Sequence, residues 1–129
     1  MKNLILKPGK RTLGVHFDAE KGILEIKGVS YPENPWEFFQ PLREWLNHYI
    51  SEIGKPLTLD MDIKYLNSGS VKSLMDFLEI LEAFHKKGGG VRVNWYHEED
   101  DDMAEMSEEL TEELNLTLEL INISKLYKN

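Results

Sequence analysis

The sequence predicts an α/β domain: a mixed sheet with an N-terminal β hairpin region and about three helices, in the order β-β-β-α-β-α-β-α. Three observations predict it. Short apolar runs bounded by turn residues occupy the first thirty or so positions. After Asn34 the apolar period changes to a helical one. From there helical and strand patterns alternate, which argues for parallel crossovers, while the opening hairpin keeps the sheet from being purely parallel. At 129 residues the chain fits a single domain spanning 1–129. A chain of that length buries roughly two thirds of its unfolded surface.

Each element has its own signal. Asn3 to Lys7 precedes the turn pair Pro8-Gly9. Thr12 to Phe17 and Ile23 to Lys27 flank Asp18-Ala19-Glu20-Lys21-Gly22, a hairpin-type loop. In the second of these runs Ile23, Glu25 and Lys27 alternate with Leu24 and Ile26, which predicts one wet face. Asn34 then caps a helix whose first residue is Pro35. Its stripe is Trp36, Phe39, Leu42, Leu46, Tyr49, Ile50 and Ile53, and Gly54 ends it. Pro41 inside this stripe removes a backbone bond and is expected to kink the helix or divide it. Leu57 to Ile63 is a strand with Leu57, Leu59, Met61 and Ile63 on one face, and Thr58, Asp60 and Asp62 on the other. A second helix carries Val71, Leu74, Met75, Leu78 and Leu81, widened by Phe77, Ile80 and Phe84, and stops at Gly88-Gly89-Gly90. Val91 to Tyr96 is a further strand. An acidic helical segment, about 98–114, carries Met103, Met106, Leu110 and Leu114, and Leu118 to Ile123 reads as a last strand or an extended tail.

The formal charge of −8 comes from 15 basic and 23 acidic residues. Ten of those acids lie between residues 98 and 113, where there is no Lys or Arg, so the rest of the chain is near neutral. Nucleic-acid binding needs a basic footprint that this chain lacks. No apolar run approaches the ~18 residues of a membrane span, and the N-terminus lacks a signal-peptide core. A cytoplasmic protein is the default expectation. The absence of cysteine excludes disulfides and thiolate metal sites.

Candidate chemistry centres on the segment Lys64-Tyr65-Leu66-Asn67-Ser68-Gly69-Ser70, read as a loop at a strand's carboxyl end, where α/β sheets place functional sites. Asn67, Ser68 and Ser70 are competent N-caps. The residues alone read first as caps and second as a phosphoacceptor, because a phosphate on Ser68 would gain from the helix dipole. Asp60 and Asp62 share a strand face; they read as a partly exposed sheet face, or as a receiver-like site holding Mg²⁺ and an acyl phosphate. Gly88-Gly89-Gly90 lies in the order helix, loop, strand, the reverse of a phosphate loop. His16, His48, His85 and His97 show no metal spacing, and the run Asp100-Asp101-Asp102 lacks the alternation and glycine of a calcium loop. A small hydrolase would need a convergent nucleophile, base and oxyanion donor that the sequence does not supply. No metal and no cofactor are expected. Glu98, Glu99, Asp100, Asp101 and Asp102 read as a solvated face or as an acidic docking surface.

The segments Ser30-Tyr31-Pro32-Glu33-Asn34, Pro56-Leu57-Thr58-Leu59-Asp60 and Tyr65-Leu66-Asn67-Ser68, leading into Leu74-Met75-Asp76, resemble the SiaC family of bacterial regulatory phosphoproteins. That family in turn resembles the STAS anti-sigma-factor antagonists, so the resemblance implies a STAS-like mixed sheet. It also implies a partner-switching protein without catalysis of its own. A dedicated Ser/Thr kinase would phosphorylate a hydroxyl at the start of the second long helix, and a metal-dependent phosphatase would reverse it. The unmodified form would bind and activate a target such as a diguanylate cyclase, controlling biofilm formation through cyclic di-GMP. The matching acceptor is Ser68, with Ser70 and Ser73 as competitors, and Tyr65, Asn67, Gly69 and Ser70 as partner-binding residues near the switch.

Overall fold

In the computed structural model, which describes residues 1–97, 103–114, 116 and 118–122, the elements are β1 (Leu4–Leu6), β2 (Gly14–Asp18), β3 (Ile23–Ser30), α1 (Pro35–Glu52), β4 (Leu57–Leu66), α2 (Ser68–Lys86), β5 (Val91–His97), α3 (Met103–Glu113) and β6 (Leu118–Asn122). The predicted order holds, and the last segment is a strand. The strands form one sheet in the order β1-β2-β3-β4-β5-β6. The pairs β1/β2 and β2/β3 are antiparallel; β3/β4, β4/β5 and β5/β6 are parallel. Each parallel step moves the same way across the sheet, so right-handed crossovers set all three helices on one face.

Burial follows that layering. Leu24, Ile26, Leu59, Met61, Val93 and Trp95 form the inner face of the sheet. They pack beneath Phe39, Leu42 and Leu46 of α1 and Leu74, Phe77, Leu78 and Leu81 of α2. Phe17 joins the layers: its ring lies 5.2 Å from that of Trp45 and 5.8 Å from that of Phe77. The buried face of α3 presents Leu110 and Leu114, and the helix packs on β4, β5 and β6. Among the described residues the outer face of the sheet carries no helix. Along it the row His16, Glu25, Asp60 and Asn94 crosses four strands in register, and Asn94 donates to Asp60 at 2.8 Å.

Three expectations change. Pro41 does not divide α1, which runs as one helix of 18 residues through it; the ring sits half-buried at the helix surface, and the only backbone bond it removes is to the Glu37 carbonyl. Trp36, placed by spacing in the buried stripe, is 55% exposed, because the core ends before the helix does. The strands β3 and β4 run three residues further than their alternation suggests, to Ser30 and Leu66. Beyond α2, the glycine run behaves as expected of a helix stop: Gly88 and Gly90 have φ of 89° and 86°, and Gly89 N–H bonds the Phe84 carbonyl at 3.0 Å.

Phe17 touches both packed helices, so Phe17→Ala should lower unfolding free energy by about 3–5 kcal/mol, measured by urea denaturation at unchanged m-value.

Candidate functional site at the carboxyl edge of β3 and β4

Because β3 and β4 are parallel, their carboxyl ends emerge at the same edge, and both feed helices there. The pairing contains a β-bulge. Gly28 faces Ile63, but Val29 faces Tyr65, leaving Lys64 as the extra residue. Its effect is visible in burial: Leu57, Leu59, Met61 and Ile63 point inward, whereas after the bulge it is Leu66 that does. Lys64 and Tyr65 are both left exposed, and Lys64 Nζ lies 3.0 Å from an Asp62 carboxylate oxygen. Gly28 accommodates the irregularity with φ of 106°.

The two helices start by the same device. The Asn34 side-chain oxygen accepts from the Glu37 N–H at 3.1 Å, and its amide donates to the Glu37 carboxylate at 3.3 Å. The Asn67 side-chain oxygen accepts from the Ser70 N–H at 2.8 Å. The edge is then cross-tied. Asn67 N–H donates to the Ser30 carbonyl at 2.9 Å. The Ser30 and Ser70 hydroxyls share a buried hydrogen bond of 2.7 Å. Gly69 lies against Pro35, where a Cβ would come within 3.0 Å of the proline ring. Gly69 sits in the first turn of α2 and lets the two helix starts approach.

These ties separate the three serines. Ser70 and Ser73 are buried, at 0% and 3% exposure, which takes both hydroxyls away from a kinase. Ser68, the first residue of α2, is exposed. The first turn of α1 holds Glu37, but that of α2 holds no acid, so its positive end has no resident carboxylate. Asn67 is half-buried and acts as the cap, and Ser70 is committed to Ser30. Of the predicted partner-binding residues, Tyr65 is the one with a large exposed side chain, at 52%.

Around Ser68 the structure adds residues that the sequence reading did not single out as a surface. Tyr31 follows β3 and meets Tyr65 edge-on at 6.0 Å. Trp36 sits next to Pro35, and the Arg43 guanidinium stacks 3.6 Å from its ring centroid. Tyr31, Trp36 and Tyr65 are all exposed. The one available signal was proximity in sequence to the Tyr-Pro-Glu-Asn segment and to the Asn67 cap.

Asp60 and Asp62 lie elsewhere, on the outer sheet face, bonded to Asn94 and Lys64. A receiver has helices on both faces and a different strand order, so the geometry does not support that reading. Among the described residues no group of three or more His, Asp or Glu is placed to hold a metal ion, and no helix is long and apolar enough to cross a membrane. The acidic run Glu98 to Asp102 lies outside the described residues.

A one-sided α/β layer that offers an exposed hydroxyl and an aromatic surface at its parallel edge is a protein-interaction domain of regulatory type. The comparisons give its family. A model of the SiaC family regulatory phosphoproteins matches residues 6–123, and the chain belongs to that family. It is 33% identical over 114 residues to an uncharacterized protein of Pseudomonas aeruginosa strain UCBPP-PA14, covering 88% of this chain and 90% of that one. Apo-SiaC from Pseudomonas aeruginosa has the same fold, with a TM-score of 0.89 and 31% identity over 94% of this chain and 99% of that chain. A similar match, with a TM-score of 0.88 and 31% identity over 92% of this chain and 98% of that chain, is to the crystal structure of the diguanylate cyclase SiaD in complex with its activator SiaC.

Two measurements check the geometry. Ser30→Ala and Ser70→Ala should each cost about 1–3 kcal/mol by stranding the other hydroxyl, and the double variant should cost less than their sum. On the outer face Tyr96 is held above the usual phenol value by burial first, then by Asp60 and Glu25; burial also raises Tyr49. A raised phenol pKa gives stability that is full below the unfolded value of 10.0 and is lost as pH rises through the folded one. Urea titrations should show unfolding free energy falling above about pH 10, and falling less steeply in Tyr96→Phe.

Proposed function

We propose that this protein is a regulator that switches partners through reversible phosphorylation of Ser68, and that its unmodified form binds and activates a diguanylate cyclase. The carrying observation is the exposure of Ser68 at the start of α2 while Ser70 and Ser73 are buried. A Ser/Thr kinase would move the γ-phosphoryl group of ATP to Ser68 Oγ, with loss of the hydroxyl proton and departure of ADP. A metal-dependent phosphatase would add water and release inorganic phosphate. The chain itself supplies surface and does no chemistry in this cycle, which belongs in the cytoplasm where ATP is available.

The physical account is direct. A phosphate brings about two negative charges. The acid-free first turn of α2 tolerates them, so modification needs no refolding. The same charges beside Tyr31, Trp36 and Tyr65 burden a partner with desolvation and repulsion. The solved complex of SiaD with its activator SiaC supports a diguanylate cyclase as that partner, and cyclic di-GMP output would link the switch to biofilm formation.

Incubating the chain with its cognate kinase and ATP should add one phosphate, mapped by mass spectrometry to Ser68. Ser68→Ala should abolish the label and keep cyclase activation; Ser68→Asp should weaken cyclase binding by about tenfold or more. A label that persists in Ser68→Ala overturns the acceptor, and equal affinities of the two variants overturn the switch.

A further inference from the structure

The pair Arg43 and Trp36 has features that stability alone does not explain. Trp36 leaves 55% of its surface in water, although the other two tryptophans, Trp45 and Trp95, are buried. Arg43 lies two turns along α1 on the same face. Its guanidinium stacks over the indole at 3.6 Å and donates through Nη2 to the Trp36 carbonyl at 3.1 Å. Its Nη1 is buried and finds no acceptor among the described residues, which costs free energy. The stack and the hydrogen bond hold the two side chains to each other while more than half of the indole stays in water. Together they make something a fold does not need: a large ring held at a fixed angle in water.

The ring stands where a partner would meet it. Trp36 follows Pro35, which contacts Gly69, the residue next to Ser68. Tyr31 and Tyr65 complete the exposed aromatic surface at the same edge.

We infer that Arg43 is a positioning residue that locks Trp36 outward as the anchor for the partner whose binding Ser68 controls. This rests on the proposed switch for its biological meaning. The partner segment would lay an apolar side chain on the exposed part of the indole. Tryptophan and arginine dominate interface hot spots, and a side chain ordered before binding spares the entropy of ordering it afterwards. The same stacking leaves the cation on the ring, so a segment presenting its own Lys or Arg there is disfavoured.

The experiment compares Arg43→Ala, Arg43→Lys and Trp36→Phe in the full chain. In the free protein, acrylamide quenching of tryptophan fluorescence should rise in Arg43→Ala, and this rise should vanish when Trp36→Phe is added. Binding to the host's SiaD-type diguanylate cyclase should weaken about three- to tenfold in Arg43→Ala, with partial rescue in Arg43→Lys and an unchanged midpoint of thermal unfolding. Unaltered quenching overturns the inference, as does unaltered affinity, or a loss of affinity that only tracks a loss of stability. If the wild-type chain fails to bind the cyclase, the proposed function falls, while quenching alone still decides whether Arg43 holds the ring. If Ser68→Asp binds normally but Arg43→Ala does not, the switch is wrong and the anchor stands.

Discussion

The pairing of β3 with β4 sets everything at the functional edge. Parallel strands deliver both carboxyl ends to one side, and the Asn67 N–H to Ser30 carbonyl bond fixes how far each reaches. The Ser30–Ser70 hydroxyl bond then locks the first turn of α2 to the end of β3. With those contacts in place, only one serine of the three can face water. Burial of two small hydroxyls is therefore what gives the third its distinct position. A polar contact in a small core is expensive if half-made, and here it works as a register pin between elements 40 residues apart in sequence.

Legibility in the sequence followed the range of the interaction. Local signals are legible: Asn34-Pro35 opens α1, one of the three cap candidates, Asn67, opens α2, and the glycine run closes it. Alternation gave the inner face of β4 up to Ile63. It could not show the bulge, because one extra residue in a strand resembles the start of a loop, and Lys64-Tyr65-Leu66 was read so. Spacing also could not place Trp36, since a helical stripe fixes the angle of a residue but not where the core ends along the axis. Sequence alone leaves Ser70 and Ser73 as competitors to Ser68. Their burial depends on Ser30 and on the packing of α1, which no local pattern carries.

The charge distribution gains a meaning from the fold. The outer sheet face and the edge that carries Ser68 differ in character: Asp60 accepts from Asn94 on the first, while exposed aromatic rings gather at the second. A doubly charged modification at Ser68, as proposed, would therefore fall on a helix start without acids rather than add to an acidic patch. The contrast in local potential is largest at such a place, and it is screened least where a partner excludes water.

The bulge at Lys64 also limits how the chain can change in length. Straightening the bulge without removing a residue would restore simple alternation, turning Tyr65 toward the helices and Leu66 toward water. The Asn67 N–H would then slip one place past the Ser30 carbonyl. The hairpin between Asp18 and Ile23, by contrast, sits at the opposite end of the sheet and outside these ties. Insertions and deletions should thus accumulate in the hairpin and be purged from the paired parts of β3 and β4, Lys64 excepted, leaving a reading frame of structure that tolerates substitution far better than change of count.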